Sequence, residues 1–194
     1  MHGDFDTGQV RWRLELPEPT EGLAATDTTV YVTQADEQAL WVIDAESGHL
    51  DKRVPLGCAP WGVSASDGQA VVACPVEGQV ITVSDGTPSA TESAPIGTLY
   101  PAEVNGQLMA YVSAQDEILN LVNGAALYLS VGEPAFAMTT NAIAAQGVDR
   151  VSLFTEGEIL RWNARPSVTS LDIADDGESL HYAAGSTWYR LLPE

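Results

Sequence analysis

Apolar residues along this chain come in short runs, and five of these runs each follow a turn-forming dipeptide. The runs are Val30-Tyr31-Val32, Ala70-Val71-Val72, Leu108-Met109-Ala110-Tyr111-Val112, Ala142-Ile143-Ala144 and Leu180-His181-Tyr182. The dipeptides before them are Asp27-Thr28, Asp67-Gly68, Asn105-Gly106, Thr140-Asn141 and Asp176-Gly177, at steps of 40, 38, 35 and 36 residues. Asn and Asp tolerate left-handed backbone and Gly takes it without steric cost, so each pair predicts a hairpin turn between extended segments. A four-strand unit repeated about every 40 residues is the sequence signature of a β-propeller blade.

The spacing lays out five such units. The first predicts strands at Leu23 to Thr26, Val30 to Thr33, Ala39 to Ile43 and Leu50 to Val54, and the second at Gly62 to Ala65, Ala70 to Ala73, Val80 to Val83 and near Thr91. In the third, the third strand is expected to end at Val122, before an Asn123-Gly124 turn and a strand from Ala126 to Leu129. The fourth predicts Val151 to Phe154, a Glu156-Gly157 turn and Ile159 to Trp162. These are short, alternating or continuous apolar segments rich in Val, Ile, Leu and aromatics, as strands are.

The fifth unit lacks a last strand, since the chain stops at Glu194 shortly after Thr187 to Leu192. A matching piece lies at the other end, where Asp6-Thr7-Gly8 precedes Gln9 to Leu14 as Glu46-Ser47-Gly48 precedes His49 to Val54. An N-terminal strand that completes the last blade removes two exposed edges at once. The expectation is an all-β chain forming one domain over residues 1–194: a small propeller of five four-stranded blades, with residues 6–16 completing the C-terminal blade. A fragment of a larger propeller, or a half that dimerises, is the rival arrangement.

Composition permits this. Of 194 residues 45% are hydrophobic, and a domain of this size buries roughly 70% of its unfolded surface. No run approaches the ~20 apolar residues that span a bilayer, and Met1 to Asp6 has neither the basic segment nor the apolar core of a signal peptide. The 27 acidic residues face 8 basic ones, of which only Lys52 is a lysine, for a net charge of −19. Such a charge opposes binding to nucleic acid or anionic lipid. The acids are scattered, as on a solvated surface, and can also attract cationic partners or hold a divalent metal.

Cys58 and Cys74 form no metal motif. Across the Asp67-Gly68 turn, Cys74 should lie opposite residues near Trp61, which leaves Cys58 about three residues out of register. A loop folding back would allow a disulfide; otherwise both are buried thiols.

Residues 28 to 86 resemble the YVTN-family β-propeller repeat. The resemblance rests on Val30-Tyr31-Val32-Thr33, Val42-Ile43-Asp44, Ser47-Gly48, Leu56-Gly57, Ala59-Pro60-Trp61-Gly62-Val63 and Asp67-Gly68, with Gln34 where the family has its namesake Asn. Asp6-Thr7-Gly8-Gln9-Val10-Arg11-Trp12 is similar to the repeat edge of quinoprotein-like propellers. The resemblance covers about a third of the chain. It implies the propeller fold and an extracellular or cell-envelope setting, and it carries over no catalytic residue. Its motif residues are structural: Gly48 and Gly68 for turn geometry, and Trp12 or Trp41 for packing between blades.

In a propeller the loops from each fourth strand to the next first strand share a face with the loops between second and third strands, and ligands usually bind there. Trp61, Tyr100 and Phe136 fall at nearly equivalent positions on that face in three successive repeats, with Glu133 and Arg165 in neighbouring loops. The aromatics could stack on a sugar or clasp a peptide, or they could plug the channel mouth. Glu103 and Asp172 sit in innermost strands among small or apolar neighbours. They could hold Ca2+ or another divalent metal, joined by Glu133 or Glu21, as a metal-dependent lactonase would require. Otherwise they line a wet channel.

Histidine supply is thin, with only His2, His49 and His181. No nucleophile elbow, Walker loop or dinucleotide fingerprint occurs. The reading is a non-enzymatic, monomeric binding or scaffold propeller without a cofactor. It would recognise a protein, peptide or glycan through Trp61, Tyr100, Phe136, Glu133 and Arg165, with a metal-dependent, lactonase-like hydrolase using Glu103 and Asp172 as the alternative.

Overall fold

The structure, a computed structural model, describes residues 2–3, 10–16, 20–66, 68–113, 115, 117–128, 136–138, 142–146, 150–155, 159–163, 168–173, 180–184 and 187–191. Every regular element among them is a strand, and no helix is long and apolar enough to cross a membrane. The chain divides into two compact units, Met1–Pro101 and Ala102–Glu194.

The first unit begins with β1 (His2–Gly3) and β2 (Val10–Trp12), which pair with each other. A four-stranded antiparallel meander follows: β3 (Thr20–Ala25), β4 (Thr29–Gln34), β5 (Ala39–Asp44) and β6 (Leu50–Pro55). The second meander is β7 (Val63–Ser66), β8 (Gln69–Cys74), β9 (Gln79–Ser84) and β10 (Thr87–Ser93). The third is β11 (Thr98–Val104), which carries the division between the units, then β12 (Gln107–Val112), β13 (Glu117–Asn120) and β14 (Ala126–Tyr128).

The second unit continues with β15 (Phe136–Met138), β16 (Ile143–Gln146), β17 (Arg150–Phe154) and β18 (Ile159–Asn163) as a fourth four-stranded meander. It ends with β19 (Val168–Ile173), β20 (Leu180–Ala184) and β21 (Thr187–Leu191), a sheet of three strands among the described residues. Within each unit the first strands of successive sheets lie side by side, β3 against β7 and β15 against β19.

Period-2 alternation builds the core, because successive side chains leave a strand on opposite faces. Val30 and Val32 of β4, with Ala39, Trp41 and Ile43 of β5, form one apolar layer, onto which Trp12, Leu14 and Leu16 pack. Tyr31 and Leu40, one residue out of phase, face the other way. They join Ala70, Val72, Cys74, Ile81 and Val83 of the second sheet in a shared layer. The first sheet therefore supplies one face to each of two layers, which is why its central strands are apolar at almost every position.

The hairpin at Asn105-Gly106 has the expected chemistry: both residues adopt positive φ, 51° and 69°, as a two-residue type I′ turn requires. The Thr140-Asn141, Glu156-Gly157 and Asp176-Gly177 turns lie outside the described residues, as do Asp67, residues 6–9, Glu133 and Arg165. One strand end is corrected. The third strand of the third sheet stops at Asn120, two residues before Val122, because the Asn120 side-chain carbonyl accepts the N–H groups of Val122 (2.9 Å) and Asn123 (3.1 Å) and turns the chain early. Val122 is left exposed.

Candidate functional site

The most completely described surface lies at one end of the second sheet, where three loops meet. Residues 56–62 lead into β7, residues 75–78 join β8 to β9, and residues 94–97 lead from β10 to β11. A network of backbone bonds holds them in place. Trp61 N–H donates to the Ala73 carbonyl (2.8 Å) and Ala73 N–H donates to that of Gly62 (2.9 Å), so the ladder between β7 and β8 continues beyond the strand ends. This fold-back settles the cysteine question: Cys58 and Cys74 form a disulfide, with Cα atoms 6.0 Å apart, and both are buried.

The middle loop is gripped from both sides. The Pro75 carbonyl accepts the Gly97 N–H (3.0 Å), and the Gly78 carbonyl accepts that of Ala94 (2.8 Å). On the other side the Glu77 carboxylate accepts the Ala59 N–H at 3.4 Å. Leu56 N–H donates to the Gln38 carbonyl (2.8 Å), which links this end to the 35–38 turn of the first sheet.

Trp61 is anchored through its backbone. Its carbonyl accepts a hydrogen bond from the Thr33 hydroxyl at 2.9 Å, while the same hydroxyl oxygen accepts the Gly22 N–H at 2.7 Å. Thr33 is completely buried, so one side chain satisfies polar groups of two sheets where water cannot reach. Trp61 nevertheless remains 38% exposed and Tyr100 45% exposed.

Tyr100 has a φ of +28°, a conformation rarely adopted by bulky residues and strained by about 1–3 kcal/mol. Gly62 lets it approach: its ring Cδ1 and its backbone lie against the glycine. The first two of the three repeat-equivalent aromatics are thus brought to neighbouring positions. Phe136 opens β15 opposite Ala145, in the second unit.

Two further residues complete the surface: Val76 is 72% exposed in the 75–78 loop and Ile96 is 74% exposed in the 94–97 loop. Trp61, Val76, Ile96 and Tyr100 are four of the six large apolar side chains that are exposed among the described residues. Sequence reasoning missed Val76 and Ile96. The available signal was an apolar residue directly after proline inside a loop, in Pro75-Val76 and Pro95-Ile96, where burial in a strand offers no reason for it.

The proposed metal ligands sit in two different sheets. Glu103 is half-buried in β11, and the backbone of Asp172 in β19 pairs with His181 of β20. Among the described residues no three His, Cys, Asp or Glu side chains gather closely enough to hold a metal ion.

Known proteins bear on the fold. A functionally unknown protein from Desulfotomaculum acetoxidans DSM 771 superposes with a TM-score of 0.70 at 14% identity, over 92% of this chain and 67% of that one. The β-propeller domain of Cps50 (Swd1) from Myceliophteria thermophila gives a TM-score of 0.67 at 12% identity, over 98% and 74%. The chain has a β-propeller fold. A streptogramin B lyase structure also matches this propeller, with a TM-score of 0.60 at 15% identity over 93% and 72% of the two chains. No family model and no curated protein matches. At these identities the likeness is one of fold, and the four-stranded meanders are the propeller's blades.

Proposed function

We propose that this propeller is a non-enzymatic binding or scaffold protein that takes a protein, peptide or glycan on its loop face. The observation that carries the reading is the exposed apolar group of Trp61, Val76 and Ile96, set on loops locked by a disulfide and by backbone hydrogen bonds, with Tyr100 at the start of β11. A rigid aromatic surface that is already ordered loses little entropy on binding. Strain at Tyr100 points the same way, since strained residues cluster at functional positions. We propose Phe136, Glu133 and Arg165 as further binding residues.

We further propose a monomeric ring of five blades in one domain, with residues 6–16 completing the last blade. The packing of Trp12, Leu14 and Leu16 on the first sheet supports it. A buried disulfide is at home in an oxidising compartment, which supports an extracellular or envelope setting. The net charge of −19 argues against nucleic acid.

Trp61→Ala and Tyr100→Ala test the binding role: partner capture should fall at least tenfold while the melting temperature holds. Unfolding of both variants would mark the aromatics as core and remove the basis of the proposal.

A hydrolase using Glu103 and Asp172 with Ca2+ or another divalent ion is the second reading. It is favoured by the register that sets Asp172 opposite His181, a carboxylate and an imidazole on adjacent strands. It requires a metal-dependent rise in melting temperature that Asp172→Asn weakens. No response to Ca2+, Mg2+, Mn2+ or Zn2+ would dismiss it.

A further inference from the structure

The charge around the loop face identifies its partner more closely. Between Arg53 and Arg150 the chain contains no lysine, arginine or histidine, but nine carboxylates. The whole second blade falls in this stretch, and with it all three loops that carry the apolar group. Glu77 lies beside Val76 and is exposed. The adjoining 35–38 turn of the first blade adds Asp36 and Glu37, also exposed. Lys52 and Arg53, the nearest cations in sequence, belong to β6, where Lys52 reaches Thr87 (3.3 Å) and the Arg53 guanidinium stacks over Trp41 at 4.7 Å.

An apolar patch whose own loops, 56–62, 75–78 and 94–97, carry a carboxylate and no cation disfavours acidic ligands by repulsion and draws cationic ones by long-range attraction, while the desolvated apolar contact holds what arrives. Neutral ligands would use the apolar area but gain nothing from the field. We propose that the occupant is a basic polypeptide segment, one that carries lysine or arginine beside an aromatic or branched aliphatic side chain. The apolar side chain rests on Trp61, Ile96 and Tyr100, and the cations face Glu77 and Asp36. This rests on the loop-face reading and adds the chemistry of the partner.

The test is selection from a random twelve-residue peptide display library against the intact protein, followed by anisotropy titration of the enriched peptides. The discriminating variant is Ile96→Asp, at a solvent-exposed position. It adds one more negative charge, so attraction to the acidic surface in general would strengthen binding, whereas seating on the apolar patch requires at least a tenfold loss. The expected result is enrichment of Lys- or Arg-bearing peptides with an apolar residue, binding that weakens between 50 and about 300 mM salt, and loss with both Ile96→Asp and Trp61→Ala.

Enrichment of neutral or acidic peptides that still depend on Trp61 and Ile96 would overturn the basic-segment proposal and leave the loop-face reading standing. Cationic peptides that bind Ile96→Asp as well or better would overturn it too, as would no enrichment at all. Selected peptides indifferent to both Trp61 and Ile96 would overturn the loop-face reading with it.

Discussion

Gly62 lies against Tyr100: a Cβ built on the glycine would sit 2.8 Å from the Tyr100 amide nitrogen and 3.1 Å from its Cα. The same device occurs one blade earlier, where a Cβ on Gly22 would lie 2.5 Å from the Trp61 carbonyl oxygen. In each case a glycine at the inner end of one blade admits the backbone of an aromatic residue from the next. The exposed aromatics of the loop face are therefore set by backbone contact between blades.

Gly62→Ala and Gly22→Ala should each destabilise the protein, because backbone atoms cannot move aside as a flexible side chain can. Overpacking of this kind costs about 1–3 kcal/mol, and each kcal/mol lowers the melting temperature by roughly 2–4 °C for a chain of this size. A thermal melt reads the effect, and an unchanged melting temperature for either variant would contradict the close approach.

Thr33→Val removes the hydroxyl that serves Trp61 and Gly22 and leaves the half-buried Trp61 carbonyl and Gly22 N–H without that partner. The expected loss is about 1–3 kcal/mol in chemical denaturation. Thr33→Ser, which keeps the hydroxyl, should recover much of it. A loss from Thr33→Ser with none from Thr33→Val would assign the effect to packing of the methyl group instead.

The Cys58–Cys74 bridge closes a loop over a sequence separation of 16. Replacing both residues by serine should cost about 3 kcal/mol in the chain-entropy view. Because both sulfurs are buried, thiol reagents should label the reduced protein only as it opens. Rapid labelling of the reduced, folded protein would argue against the packing described here.

Stability should fall at both ends of the pH range. The Asp44 carboxyl is held below its ordinary value of 3.8, first by the Ser47 hydroxyl and then by the Ser47 N–H. A depressed carboxyl stabilises the fold above its unfolded value, and that contribution is lost as the pH falls through the lower, folded one. Burial pushes the Tyr31 phenol above 10.0; a hydrogen bond with the Thr29 side chain opposes this, and the Asp85 carboxylate adds to it. A raised phenol contributes fully below pH 10.0, and that contribution disappears as the pH rises through the folded value. Melts across pH should show Asp44→Asn flattening only the acid limb and Tyr31→Phe only the alkaline one.

Local rules were enough for much of this protein. Alternation in Val30-Tyr31-Val32 and Ala39 to Ile43, read with the flanking turn residues, located the strands of the first two blades to within a few residues. Asn105-Gly106 announced a two-residue hairpin, because only residues tolerant of positive φ fit there. Where a local competitor intervened the boundary moved, as when the Asn120 side chain captured the amides of Val122 and Asn123.

Spatial meetings between segments were decided elsewhere. Cys58 reaches Cys74 because the bonds between Trp61 and Ala73 fold the 56–62 loop back over β8. Val76 and Ile96 become one surface because the Pro75 carbonyl holds the Gly97 amide. Strand formation depends on a few neighbouring residues, and its periodicity is written along the chain. Loop-to-loop contact depends on how two sheets stack and on single hydrogen bonds between distant residues, which leave no periodic trace. The loop face therefore became visible only once the blades were in place.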